Sequence, residues 1–407
     1  MSQTDTQPAD PAAHTQPVER TRAFPRGAAV ALAALDLDPH PVLAELRRHE
    51  PVSWVPALGG WLVTRHDLAV AVMRDPQHFT VDDPRFSTAQ VVGQSMLSLD
   101  GDEHARHRMP FVAPFRAPEV RREFADPVAA LAAAIIAELE PAGAAELRRG
   151  FAGPLAAAVM ARALGLDGAA GDLVLGWYDA IVAAVTSITA AEAPSPAARE
   201  AFAELRARLQ HHIGGDAGHS LLAAAAAHGP LSPDQVVSNA AVLLFGGIET
   251  TEGMIANALL CLLEHPDKLA GAREDAKLLD ASIQESLRLE PAAALVDRYA
   301  TAERSIAAAT IRTGELVRVS ITAANRDPAV FDDPDRFDPH RRNVRRHLAF
   351  AHGPHVCLGI HLARLETRTA LALLLARLPR LRADPRRRSQ VRGLVFRKPP
   401  ALHAIWS

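Results

Sequence analysis

The run between Ser232 and Pro266 constrains the fold of this chain more than any other feature. Ser232-Pro233-Asp234-Gln235 offers a capping hydroxyl, proline at the first helical position and Gln three residues after the cap, a combination that starts a helix. No further proline occurs before Pro266, so the spacing predicts a helix of about 33 residues, roughly 50 Å long. Its flanks, Ala240 to Phe245 and Met254 to Leu263, are apolar on nearly every face, which suits a helix that runs through an interior. The middle breaks that pattern. Gly246-Gly247-Ile248-Glu249-Thr250-Thr251-Glu252 puts acids and poor helix formers into the element, a local cost without a packing benefit.

Such a patch can be a solvated stripe or a simple kink. It can also do chemistry: a carboxylate fetches protons from solvent, a hydroxyl relays them, and the two glycines leave room for a ligand and let the helix open locally.

Elsewhere Ala, Leu, Arg and Glu dominate with helical periodicity, so the fold class is mainly α with a small β region. The β-rich pieces are Pro51 to Val63 with a Gly59-Gly60 turn, Thr310 to Val319 with a Thr313-Gly314 turn, and short runs around Leu394 to Phe396 and Leu402 to Trp406. The 407 residues, 48% hydrophobic and 22% charged, are enough to bury a cofactor-sized interior. No Gly/Ser-rich or Pro-rich linker follows the first thirty residues, so one domain over 26–407 is expected, behind a mobile polar tail over 1–25. The start of the chain lacks the basic and apolar regions of a signal peptide. The apolar stretch Gly27 to Leu37 is too short to span a membrane and contains Asp36. Only two cysteines are present, Cys261 and Cys357, too few for a disulfide framework; a cytoplasmic location is expected. A formal net charge of -3 argues against nucleic acid as the main partner. A monomer is expected.

In Phe350-Ala351-His352-Gly353-Pro354-His355-Val356-Cys357-Leu358-Gly359, one thiol follows a Gly/Pro turn and opens the helical run Leu358 to Leu378. A helix N-terminus there would lower the thiol's pKa, and Gly353 and Gly359 would let backbone approach a flat ligand. A lone cysteine is ordinarily structural. His352, His355, Cys357 and His361 also have a spacing that a zinc site could use. A c-type haem attachment or an iron-sulfur cluster needs more cysteines at close spacing.

The pattern F-x-x-G-x-H-x-C-x-G resembles the haem-binding loop of the cytochrome P450 family, and Gly246 to Thr251 resembles that family's A/G-G-x-D/E-T-T stretch. The resemblance covers roughly Pro41 to Ser407. It implies a triangular fold with haem b, bound non-covalently, between the long helix and the helix after the cysteine loop. Cys357 would then be the axial iron ligand, Phe350 would pack beside it, Glu249 would gather protons, Thr250 would relay them, and Thr251 would support them. Ala351 departs from the family, which usually has Gly or another small polar residue at that place.

Haem carries two propionates, which are costly to bury without cationic partners. His104 and Arg108, four apart and therefore on one helix face, resemble the family's H-x-x-x-R propionate pair. Arg298 and His355 match two further propionate contacts. Glu285-Ser286-Leu287-Arg288 resembles the family's E-x-x-R, with Arg341 of the meander Phe331 to Arg341 as third member. The bare Glu/Arg spacing carries little information, since it recurs from Glu19, Glu45, Glu103, Glu119, Glu146 and Glu315.

The resemblance therefore implies a monooxygenase that inserts one oxygen atom from dioxygen into a hydrophobic small molecule. No flavin or nicotinamide fingerprint is evident, so a ferredoxin and an NAD(P)H-dependent ferredoxin reductase would supply electrons. Arg106, Arg121, Arg122, Arg341, Arg342, Arg345 and Arg346 are candidates for docking an acidic partner. Phe86, Val242, Leu243, Leu295, Val296 and Phe396 are candidates for the substrate pocket, or equally for core. Two alternatives remain: a peroxide-driven enzyme of the same fold, and a non-catalytic haem-binding sensor.

Overall fold

A computed structural model describes residues 19–166, 171–189, 195–214 and 230–407. The interior is organised around the long helix. Pro233–Glu264 is helical without interruption, and Ser232 closes a capping box with Gln235 as the sequence requires. Its 32 residues span about 48 Å. The helix does not open at Gly246-Gly247; instead the Thr250 hydroxyl donates to the Gly246 carbonyl at 2.6 Å, one turn back.

We number the helices that carry the site in chain order: α1 (His40–His49), α2 (His66–Arg74), α3 (Gly101–Val112), α4 (Ala117–Leu139), α5 (Gly153–Ala163), α6 (Gly171–Thr189), α7 (Pro196–Gly214), α8 (Pro233–Glu264), α9 (Ala276–Leu289) and α10 (Ile360–Arg377). Helix α8 packs against α5, α6, α7, α9 and α10, and α10 packs in turn on α4. Leu244, Ile248, Ile255, Leu259 and Leu262 of α8 are fully enclosed, each worth roughly 1.5–3 kcal/mol of burial. Gly253 lets α8 approach Ala292, where a Cβ would meet the Ala292 methyl at 2.8 Å.

The main sheet has five strands, β1 (Val52–Val55), β2 (Gly60–Val63), β3 (Phe79–Thr80), β4 (Leu295–Ala300) and β5 (Leu316–Ser320), in the order β1-β2-β5-β4-β3. The expected Gly59 turn joins β1 to β2, with Gly59 in the left-handed region at φ +64°. The Gly314 turn is also present, but the strands beside it separate. Ala309–Ile311 pairs with Arg304–Ile306, whereas β5 pairs with β2 and β4. Near the C-terminus, His403–Ile405 pairs with Ala144–Glu146 and Arg382–Ala383.

The tail expected over 1–25 lies mostly outside the described residues. Its last part is docked: residues 19–23 are helical, Arg20 pairs with Glu315 and stacks over Trp54, and Phe24 packs edge-on against Trp61 at 5.1 Å. Those aromatic contacts offset the entropy of ordering this segment. Among the described residues no helix is long and apolar enough to cross a membrane.

Candidate active site

The cysteine loop lies between α2 and α10. Cys357 is half-buried, and its backbone N–H donates to the Phe350 carbonyl at 2.9 Å, closing the loop. The helix begins only at Ile360, later than the expected Leu358, because Leu358 and Gly359 complete a turn first. The thiol is consequently not lowered as anticipated. Burial pushes it up, against the Gly359 N–H and the charges of Arg108 and Arg364, which act the other way. Arg364 stacks over Phe350 at 5.1 Å.

Gly353 and Ala351 explain the path of the loop. Gly353 has φ +77°, and a Cβ there would overlap the Met73 carbonyl on α2; its missing side chain serves this contact rather than a ligand. Ala351 adopts φ +58°, a left-handed conformation that an L-residue with a Cβ adopts at a cost of roughly 1–2 kcal/mol. This backbone requirement accounts for the expectation of glycine there.

Beside the loop, α3 contributes His104 and Arg108, one turn apart as expected. Arg108 donates to the Val356 carbonyl at 2.6 Å, next to Cys357. The His104 ring lies 4.4 Å from that of His355, and His104 Nε2 is buried without a partner. Burial, and then the charges of His355 and Arg108, lower His104 to about 4. His355 Nε2 stands 2.8 Å from Asp100 Oδ1, and Asp100 also accepts from Thr80 Oγ1 at 2.7 Å and the Val81 N–H at 2.8 Å. Burial alone would raise the Asp100 carboxyl, but these donors prevail and hold it at about 2. Arg298 is buried on β4, near enough to Asp100 to feel its charge. Two arginines and two histidines from three segments thus converge around Cys357 and Asp100. Asp100 was not anticipated, because its partners lie 19 to 255 residues away.

The zinc set does not form: among the described residues no three His, Cys, Asp or Glu side chains gather as metal ligands. The residues do fit a flat, doubly acidic group. A Cβ at Gly246 or Gly359 would meet nothing within 4 Å, so both glycines border open space. His104 keeps an orphaned ring nitrogen, and Arg108 and Arg298 provide positive charge. Gly247, by contrast, faces away: a Cβ there would overlap the Met160 sulfur of α5.

On α8 the Glu249 carboxylate is buried and fully engaged. It accepts from the Tyr178 hydroxyl of α6 and from Lys398 Nζ at 2.7 Å. Burial and the charges of Glu249 and Glu252 push the Tyr178 hydroxyl far up, so it remains a donor. Neither Tyr178 nor Lys398 carries a local sequence signal. Thr251 is buried, whereas Thr250 is half-buried.

Arg341 is not a docking residue. Its side chain is 7% exposed and holds Glu285 and the Asp332 and Asp333 carbonyls. Arg106 and Arg122 are drawn into pairs with Glu103 and Glu119; Arg121, Arg342, Arg345 and Arg346 are exposed. Of the pocket candidates, Val242 is core, while Phe86, Leu243, Leu295, Val296 and Phe396 are half-buried. Phe396 sets its ring against Phe245 of α8 at 5.5 Å.

A family model described as cytochrome P450 matches residues 188–403. Among curated proteins, nocardicin C N-oxygenase of Nocardia uniformis subsp. tsuyamanensis is 34% identical over 95% of this chain and 99% of the relative. Cytochrome P450 monooxygenase PikC of Streptomyces venezuelae is 34% identical over 85% of each. Among solved structures, CalO2 superposes with a TM-score of 0.81 at 29% identity, covering 91% of this chain and 96% of that one. P450BioI, solved in complex with an acyl carrier protein, gives 0.81 at 27% identity over 91% and 99%.

Proposed function

This chain belongs to the cytochrome P450 family, and from that premise we propose that Cys357 would hold the iron of a non-covalent haem b serving oxygen insertion into a hydrophobic small molecule. The protein is a monooxygenase, as its named relatives are; they act in natural-product tailoring, among them nocardicin C N-oxygenase and 20-oxo-5-O-mycaminosyltylactone 23-monooxygenase. When bound, a thiolate-ligated haem supplies the iron at which dioxygen is activated.

The chain's own residues do the rest. Arg108, Arg298, His104 and His355 would pair with the propionates, and Asp100 holds His355 in place. Gly246 and Gly359 border open space that would admit the cofactor, and Phe350 packs against the core beside the cysteine loop. Glu249 gathers protons and Thr250 passes them to the cavity, which the apolar flanks of α8 keep dry. Electrons come from a ferredoxin and its NAD(P)H-dependent reductase in the cytoplasm, docking through the exposed Arg121, Arg342, Arg345 and Arg346. The catalytic domain is the single unit 26–407.

The observation that carries this reading is the buried Glu249 carboxylate beside the half-buried Thr250 hydroxyl, on a helix packed against the one that follows Cys357. Neither a sensor nor a peroxide-driven enzyme needs that pair. The test is turnover with NAD(P)H, reductase, ferredoxin and dioxygen, compared with peroxide alone. Product under the first condition is expected; product from peroxide only, or none under either, overturns the reading.

A further inference from the structure

We propose that Lys398 is a positioning residue that latches the Glu249 carboxylate, and that its loop couples release of this latch to substrate contact at Phe396. The inference rests on Glu249 being the proton gatherer.

An ammonium has three N–H donors. Lys398 Nζ donates to Glu252 Oε2 at 2.5 Å and to the Tyr178 hydroxyl at 3.0 Å, and it forms an ion pair with Glu249 Oε1 at 2.7 Å. Tyr178 in turn donates to Glu249 Oε2. Both oxygens of Glu249 are therefore engaged away from Thr250, whose hydroxyl donates to the Gly246 carbonyl. In this arrangement Glu249 cannot hand a proton to Thr250 unless a contact with Lys398 or Tyr178 yields. On its far side the cluster reaches water: Glu252 lies 3.4 Å from Arg148 and from Arg149, and Arg149 pairs with the exposed Asp179 at 2.7 Å.

The loop that carries Lys398 also carries Phe396, and the backbone between them is stapled. The Lys398 N–H donates to the Arg392 carbonyl at 3.0 Å, and the Arg397 N–H to the Ala292 carbonyl at 2.8 Å. The Arg397 carbonyl accepts from Asn257 of α8 at 2.9 Å. Phe396 meets Phe245 about one turn before Glu249. A substrate that displaces the Phe396 ring must move a short, tied segment, with Lys398 two residues on.

The test compares Lys398→Met, Lys398→Arg, Phe396→Ala and Glu249→Gln in the haem-loaded enzyme, with substrate affinity, kcat against pH, and the fraction of NAD(P)H oxidation coupled to product as readouts. Lys398→Met removes the positive charge 2.7 Å from Glu249 Oε1, so the pH profile of kcat departs from that of the wild type. Coupled kcat falls by roughly tenfold or more while substrate affinity changes by less than about threefold. Lys398→Arg restores most of the loss, which a merely structural lysine would not require. Phe396→Ala lowers coupling with the lysine intact. If Lys398→Met keeps the wild-type coupling and pH profile while Glu249→Gln is uncoupled, the latch is wrong and the role of Glu249 stands. Full coupling in Glu249→Gln instead removes the reading beneath it. Full coupling in Phe396→Ala overturns the link to substrate. Should Lys398→Met fail to fold, Lys398→Gln carries the same comparison.

Discussion

Arg341 Nε lies 3.0 Å from Glu285 Oε1 although 56 residues separate them, and the same carboxylate grips Arg288 through both oxygens at 2.7 and 2.9 Å. These side chains are almost wholly enclosed, unlike the Glu103–Arg106 and Glu119–Arg122 pairs of the same spacing. Glu285→Ala would strand two buried guanidinium groups and is expected to cost about 3–5 kcal/mol. Chemical denaturation measures it; a loss below about 1 kcal/mol would assign the set to the surface-pair class.

Ala351 is held at φ +58° by the loop around Cys357. Ala351→Gly removes the steric penalty and is expected to stabilise the fold by about 1 kcal/mol, net of the greater chain entropy of glycine. A thermal scan that shows a lowered midpoint would contradict this.

His347 is buried and, through that burial and the nearby charges of Arg364 and Arg288, is lowered to about 4. An unfolded histidine titrates near 6.5, so between 6.5 and 4 the unfolded chain binds a proton that the folded chain refuses. The stability is complete above 6.5 and drains away as pH falls to 4, by on the order of 3 kcal/mol for this group. His104 adds to the same window. Denaturation midpoints measured across it should fall, and fall less in His347→Gln; a flat profile in both proteins would refute the assignment.

In the proposed relay, Thr250→Ala removes the hydroxyl that would carry protons onward from Glu249. Electron flow should continue while product falls by roughly tenfold and peroxide accumulates. Fully coupled NAD(P)H oxidation in that variant would rule out the relay.

Features that depend on local chemistry were legible before any coordinates. The Ser232 capping box and the shared face of His104 and Arg108 follow from spacing along a helix, whereas the Glu285 set, with Arg341 56 residues on, follows only from the resemblance to the cytochrome P450 family. What stayed hidden depends on chain separated by long intervals. Lys398 reaches Glu252 across 146 residues, and Asp100 reaches His355 across 255. Local pattern also misassigned two glycines: of the four expected to make room for a ligand, Gly247 and Gly353 make room for Met160 and Met73, whereas Gly246 and Gly359 border open space. A missing side chain does not say in the sequence which neighbour it admits.

The most direct test of Cys357 as axial ligand is the absorption spectrum of the reduced carbon-monoxide complex in the wild-type protein and in Cys357→Ala. The wild type should give the red-shifted band that a thiolate ligand produces, and the variant should lack it. An unchanged band in Cys357→Ala would contradict the assignment on which the account of this site depends.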